Sequence, residues 1–109
     1  PLVAVGCVYF GQLKYDQAIR MYRKALKLVP DSPFAHAYLG ETYFFKGKNK
    51  EALEMLEKAS SLDAKGKSGD FARTLLEAIN NGFTPPKVQA ERVKAEKAKA
   101  EGKSPTKSS

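Results

Sequence analysis

The chain holds one cysteine, Cys7, and one histidine, His36. A thiol and an imidazole can act together as nucleophile and base. The same two side chains can begin a metal site. Neither chemistry is completed here. A metal site built on them would need several carboxylates, and none cluster nearby. A Ser-His-Asp arrangement would rest on His36 alone. No phosphate-cradling or dinucleotide-binding glycine pattern is present. The Asp and Glu residues are scattered along faces that read as solvated. The expectation is a protein that is not an enzyme and uses no cofactor and no metal.

What remains for recognition is aromatic and basic. The stretch ETYFFKG, residues 41–47, places Tyr43, Phe44 and Phe45 in a row. On a helix, successive side chains point about 100° apart, so one face cannot bury all three. The net charge is +7, unevenly placed. From Lys87 onward there are seven Lys or Arg against three Glu, while residues 1–86 hold twelve bases and nine acids.

These groups must be carried by a small chain. At 109 residues it is one domain with a tail, and 42% hydrophobic content suits a globular fold. No apolar run approaches the roughly 18 residues that span a bilayer. A single cysteine excludes an internal disulfide framework and fits a reducing compartment, so a cytoplasmic setting is expected. The chain opens at Pro1 directly into PLVAVGCVYFG, which reads as part of a longer chain. LVAVGC loosely matches a lipoprotein cleavage site at Cys7. It lacks the basic start and longer apolar core such a signal needs.

Sliding the chain against itself by 34 residues supplies the organising elements. Val5-Gly6 meets Leu39-Gly40, and Tyr9-Phe10 meets Tyr43-Phe44. Ala18, Ile19, Tyr22, Ala25 and Leu28 meet Ala52, Leu53, Leu56, Ala59 and Leu62. Each unit reads as two helices. Ser32 is an N-cap and Pro33 takes the first helical position. A helix follows to about Phe45, and Gly47 ends it in the left-handed region. A second helix runs from about Asn49 to Leu62, with Ala52, Leu53, Leu56, Ala59 and Leu62 on one stripe. Gly6, Gly40, Ala18, Ala52, Ala25 and Ala59 fall where paired helices must approach closely.

The pattern Leu39-Gly40, Tyr43, Gly47, Ala52, Leu56, Ala59 resembles the tetratricopeptide repeat. So does the first unit, through Gly6, Tyr9, Ala18, Tyr22, Ala25 and Pro30, with KYDQAIRMYRKALKLVP close to the second-helix consensus. His36, Leu13, Leu56 and Ala64 depart from it, standing where the family prefers Trp, Gly, an aromatic and Pro. The resemblance implies an all-α fold, an α-solenoid of antiparallel helix-turn-helix units. Repeat 1 covers about 1–30 and is truncated at its N-terminus; repeat 2 covers about 31–64. It also makes His36 and Tyr43 core residues.

After Asp63 the phase is lost. Asp70 reads as the N-cap of a helix over about 70–82, whose apolar face is Phe71, Leu75, Leu76 and Ile79. Gly82 terminates it, with Phe83 placed to fold back. This resembles the solvating helix that closes a tetratricopeptide array, so the domain is 1–83. Residues 84–109 form a basic Lys/Ala/Glu-rich tail, a solvated helix to about Ala100 and then a disordered end, without a packed role.

In such arrays the first helix of each unit lines a concave groove. Here the resemblance puts Val3, Cys7 and Phe10 there from the first unit, and Phe34, Ala37, Tyr38, Glu41, Phe44 and Phe45 from the second. Five of the nine are aromatic. The Lys and Asn positions that clamp a partner's C-terminal carboxylate in the best-known members are Val3, Cys7, Ala37 and Glu41, so that clamp is missing. An apolar groove suits a peptide or helix with hydrophobic anchors. The expected function is a protein-interaction module, as a scaffold, assembly factor or chaperone. A chaperone of type III secretion is one form of it. The alternative is an anionic surface, nucleic acid or membrane, bound through Lys87, Arg92, Lys94, Lys97, Lys99, Lys103 and Lys107. The tail has no aromatic residue for base stacking, and Glu91, Glu96 and Glu101 dilute its charge. With two repeats visible, a further element is expected over the outer face of Leu2–Phe10: upstream sequence, a second copy or a partner.

Overall fold

The computed structural model describes residues 1–100 and contains six α-helices among them. They are α1 (Leu2–Gly11), α2 (Tyr15–Leu28), α3 (Pro33–Phe45), α4 (Asn49–Leu62), α5 (Lys67–Asn80) and α6 (Pro86–Ala100). No strand occurs among the described residues. The fold is all-α, as the resemblance implies. Helices α1 and α2 pair, as do α3 and α4, and α5 packs on both α3 and α4. Helices α1, α3 and α5 form one layer, and α2 and α4 form the other.

Local chemistry accounts for the boundaries. The Ser32 hydroxyl accepts from the Ala35 amide at 3.3 Å, which caps α3, and Pro33 follows at the first helical position. Gly47 has φ +81, and the Lys48 amide donates back to the Tyr43 carbonyl at 2.9 Å. That six-to-one bond is the glycine-ended helix stop expected from the sequence. Gly82, also at φ +81, ends α5 likewise, with Phe83 donating to Ala78. At the end of α1 the same stop is built on Leu13, at φ 64, with Lys14 donating to Tyr9. A β-carbon in this region is strained by roughly 1–2 kcal/mol.

The small residues act as spacers. A β-carbon on Gly6 would stand 2.5 Å from the Tyr22 ring, and one on Gly40 would stand 2.7 Å from Leu56. The two glycine–partner pairs are related by the same shift of 34 residues. Ala18, Ala52 and Ala59 are wholly buried where the helices meet. Tyr22, Leu39, Tyr43, Phe44 and Leu56 fill the remaining core. His36 is buried as well, its Nδ1 donating to the Ser32 carbonyl at 2.9 Å.

Two expectations are corrected. Helix α5 begins at Lys67, not near Asp70, and Gly66 stands at its N-cap position. The capping anion is Asp63, from the end of the preceding unit. It accepts from the Ser68 hydroxyl and from the amides of Gly66, Ser68 and Gly69. These bonds hold its carboxyl below the usual range, the Ser68 hydroxyl contributing most. A β-carbon at Gly69 would collide with the Asp63 carbonyl, so only glycine admits this close turn. Asp70 instead lies in the first turn, paired with Arg73.

The tail is the second correction. Helix α6 reaches Ala100, but its start is packed. Val88 is buried, and a β-carbon on Gly47 would meet its Cγ1 at 3.0 Å. Glu91 borders a cleft of about 470 Å³ with Leu13–Gln17, Phe45 and Lys46. The first turns of α6 therefore sit at the inter-helix turns of both repeats. The expected disordered end lies outside the described residues.

Candidate partner-binding groove

Helices α1 and α3 of the first layer carry the nine residues named from the sequence. Along α3, Phe34, Tyr38, Glu41 and Phe45 recur at three- and four-residue intervals, which places them on one stripe. Phe34 is 45% exposed. Tyr38, Glu41 and Phe45 are half-buried. From α1, Val3, Cys7 and Phe10 are also half-buried and rest against the core.

Two of the nine residues are not open. Ala37 is wholly buried, and Phe44 is only 1% exposed. The Phe83 ring, on the chain leaving α5, lies 5.9 Å from that of Phe44. Phe44 is thus a link between the groove wall and the closing segment rather than a free contact. Its place on the helix was legible, but its covering by a distant residue was not.

The rings group at two ends of the stripe. At one end Phe34 and Phe71 lie 6.0 and 5.7 Å from Tyr38, and Tyr22 stacks on Tyr38 at 6.0 Å. At the other, Phe45 meets Phe10 edge-to-face at 5.2 Å and Phe44 at 5.8 Å, with Tyr15 at 6.3 Å. Such tilted contacts are the favoured geometry of aromatic pairs. Tyr15, Phe71 and Phe83 were not assigned to the groove from the sequence. Tyr15 opens a second-type helix and aligns with Asn49, so the repeat carries no aromatic signal there. Phe71 was legible only as one apolar residue of α5.

Polar groups are sparse between these clusters. The Tyr22 hydroxyl donates to Cys7 Sγ at 3.5 Å. Burial, aided by Cys7, pushes the Tyr22 phenol well above its ordinary range, and burial also raises that of Tyr38. Burial raises the Glu41 carboxyl from 4.5 to about 7. The ion pairs among the described residues are Lys46–Asp16 and Arg73–Asp70, so Glu41 has no cation beside it there. No group of three metal-ligating side chains occurs among the described residues.

The basic tail presents a different surface. Arg92, Lys94, Lys97 and Lys99 are exposed on α6, alongside Glu91 and Glu96. Lys103, Lys107 and the side chain of Lys87 lie outside what is described. No described helix is long and apolar enough to cross a membrane.

Comparison with known proteins agrees with the helical-repeat fold. A family model described as "TPR repeat" matches residues 6–47, and one described as "Tetratricopeptide repeat" matches residues 35–65. No curated protein matches the chain. Together the two family matches cover more than half the sequence. The chain belongs to the tetratricopeptide-repeat family, whose repeats are in general protein–protein interaction modules.

Proposed function

We propose that this tetratricopeptide chain holds an apolar peptide or helix of a partner protein in its first-layer groove, as a scaffold, assembly factor or chaperone. The observation that carries the reading is the pair of aromatic clusters at the two ends of the α3 stripe. Phe34 stays 45% exposed, and Tyr38 and Phe45 are half-exposed. A soluble domain that leaves grouped rings open to water usually offers them to another molecule. The clamp positions Val3, Cys7, Ala37 and Glu41 also supply no cation, which disfavours a carboxylate-ended partner.

The test is selection from a displayed library of random short peptides on the intact chain. Affinity of the enriched peptides is then measured for Phe34→Ala and Phe45→Ala. Each substitution is expected to weaken binding by about tenfold or more, as loss of an aromatic anchor does at a hot spot. Melting curves check that the variants stay folded. Undiminished affinity in both folded variants would sink the groove reading.

A further inference from the structure

Glu41 is the single charged residue among the nine groove positions. It stands mid-stripe, one turn from Tyr38 on one side and one turn from Phe45 on the other. The titratable groups around it are Tyr38 on its own helix, Tyr22 from α2 and Cys7 from α1, and none of these is a cation. The ion pairs among the described residues lie elsewhere, Lys46 with Asp16 and Arg73 with Asp70.

A carboxylate taken from water without a partner is unfavourable to the fold. A neutral side chain of similar size would fill the same space without that penalty. The Glu41 carboxylate makes no side-chain hydrogen bond among the described residues. Its carboxylate is therefore free to pair with something the groove receives. An anionic segment would meet a like charge between two aromatic walls. A basic one would meet an opposite charge in a partly dried site, where pairing is stronger than in open water.

We propose that the partner segment carries a Lys or Arg between two apolar side chains, with the base paired to Glu41 and the apolar groups seated at the Tyr38 and Phe45 clusters. This rests on the groove reading given above. Tyr38 and Phe45 are seven residues apart on α3, about 10 Å of helix rise. An extended chain covers that span in about three residues. The fitting segment thus places its base between apolar side chains roughly three residues apart. A guanidinium or ammonium there also faces ring surfaces, which attract cations.

The displayed-library selection is run in parallel on the wild-type chain and on Glu41→Gln. Enriched peptides are resynthesised with the base replaced by norleucine, which keeps the aliphatic stem and removes the charge. On the wild-type chain the replacement is expected to weaken binding about tenfold or more, the effect of losing a charge-assisted hydrogen bond. On Glu41→Gln it is expected to have little effect. The wild-type half of this comparison needs no altered protein, so it stands even if Glu41→Gln folds poorly. Enriched peptides without a basic residue overturn the proposal, as does an equal norleucine penalty on both proteins. If those peptides still depend on Phe34 and Phe45, the groove reading survives and only the choice of partner falls. If they do not, both fall together.

Discussion

Leu56 occupies the space that a Gly40 side chain would need: a β-carbon there would lie 2.7 Å from Leu56 Cγ. The two helices of the second repeat are held together at this point by an absent methyl group. Gly40→Ala is expected to cost about 1–3 kcal/mol, the usual range for overpacking. Gly11, at the end of α1, has nothing within 4 Å of its would-be β-carbon. Gly11→Ala should instead stabilise by about 0.4–1 kcal/mol, through the unfolded chain. Urea unfolding midpoints at unchanged slope measure both. Equal effects at the two glycines would contradict the spacer role.

Leu13 is held at φ 64 in a turn that uses glycine at its second occurrence, Gly47. Leu13→Gly is expected to raise stability by about 0.5–1 kcal/mol, since relief of left-handed strain outweighs the added freedom of the unfolded chain. The reverse change, Gly47→Ala, meets both an unfavourable φ and the methyl of Val88. It should lower the thermal midpoint while Leu13→Gly raises it.

Glu41 gives stability an unusual pH dependence. Its carboxyl is raised from 4.5 to about 7 in the folded state. Between those values the native chain keeps a proton that the unfolded chain has lost. This group's contribution therefore favours folding below about pH 4.5 and declines as pH rises towards 7. Allowing for solvent screening at a half-exposed site, the loss is about 1–2 kcal/mol. Glu41→Gln should thus melt higher than wild type at pH 8 and close to it at pH 5. A difference that is the same at both pH values would remove burial of the carboxyl as its cause.

Repeat-related positions should respond unequally to the same change. Leu39 is 3% exposed, whereas Val5, its equivalent, is 42% exposed. Leu39 belongs to the buried core, and Val5 lies on the exposed side of α1. Leu39→Ala is expected to cost about 2–4 kcal/mol, against less than about 1 for Val5→Ala. Chemical denaturation of the two variants side by side decides it.

The sequence carried most of what depends on near neighbours. Helices α3 and α4 run over the predicted residues because Ser32, Pro33, Gly47 and the apolar stripe all act within a turn or two. The start of α5 was misplaced because its capping group, Asp63, belongs to the preceding unit and reaches it through a turn that only the folded geometry reveals. The aromatic run resolved in part. Tyr43 is core, and Phe45 is a half-open ring centred among Phe10, Phe44 and Tyr15. Phe44 sits where its repeat position indicates, but Phe83 covers it from far along the chain. Val88 is the same case: one valine in a Lys/Ala/Glu-rich stretch gives no local sign of the Gly47 surface it meets.

The two ends of the helix stack wet differently. Helix α1 turns Val5 and Val8 outward, while α5 turns Asp70, Thr74 and Glu77. Another layer laid over α1 would remove hydrocarbon from water, at about 25 cal/mol per Å². The same layer laid over α5 would have to dry polar groups, at a cost unless it supplied them partners. The interfacial free energy of the stack is therefore lopsided. As with a crystal that has one reactive face, any lengthening of this solenoid has a preferred direction, outward from α1.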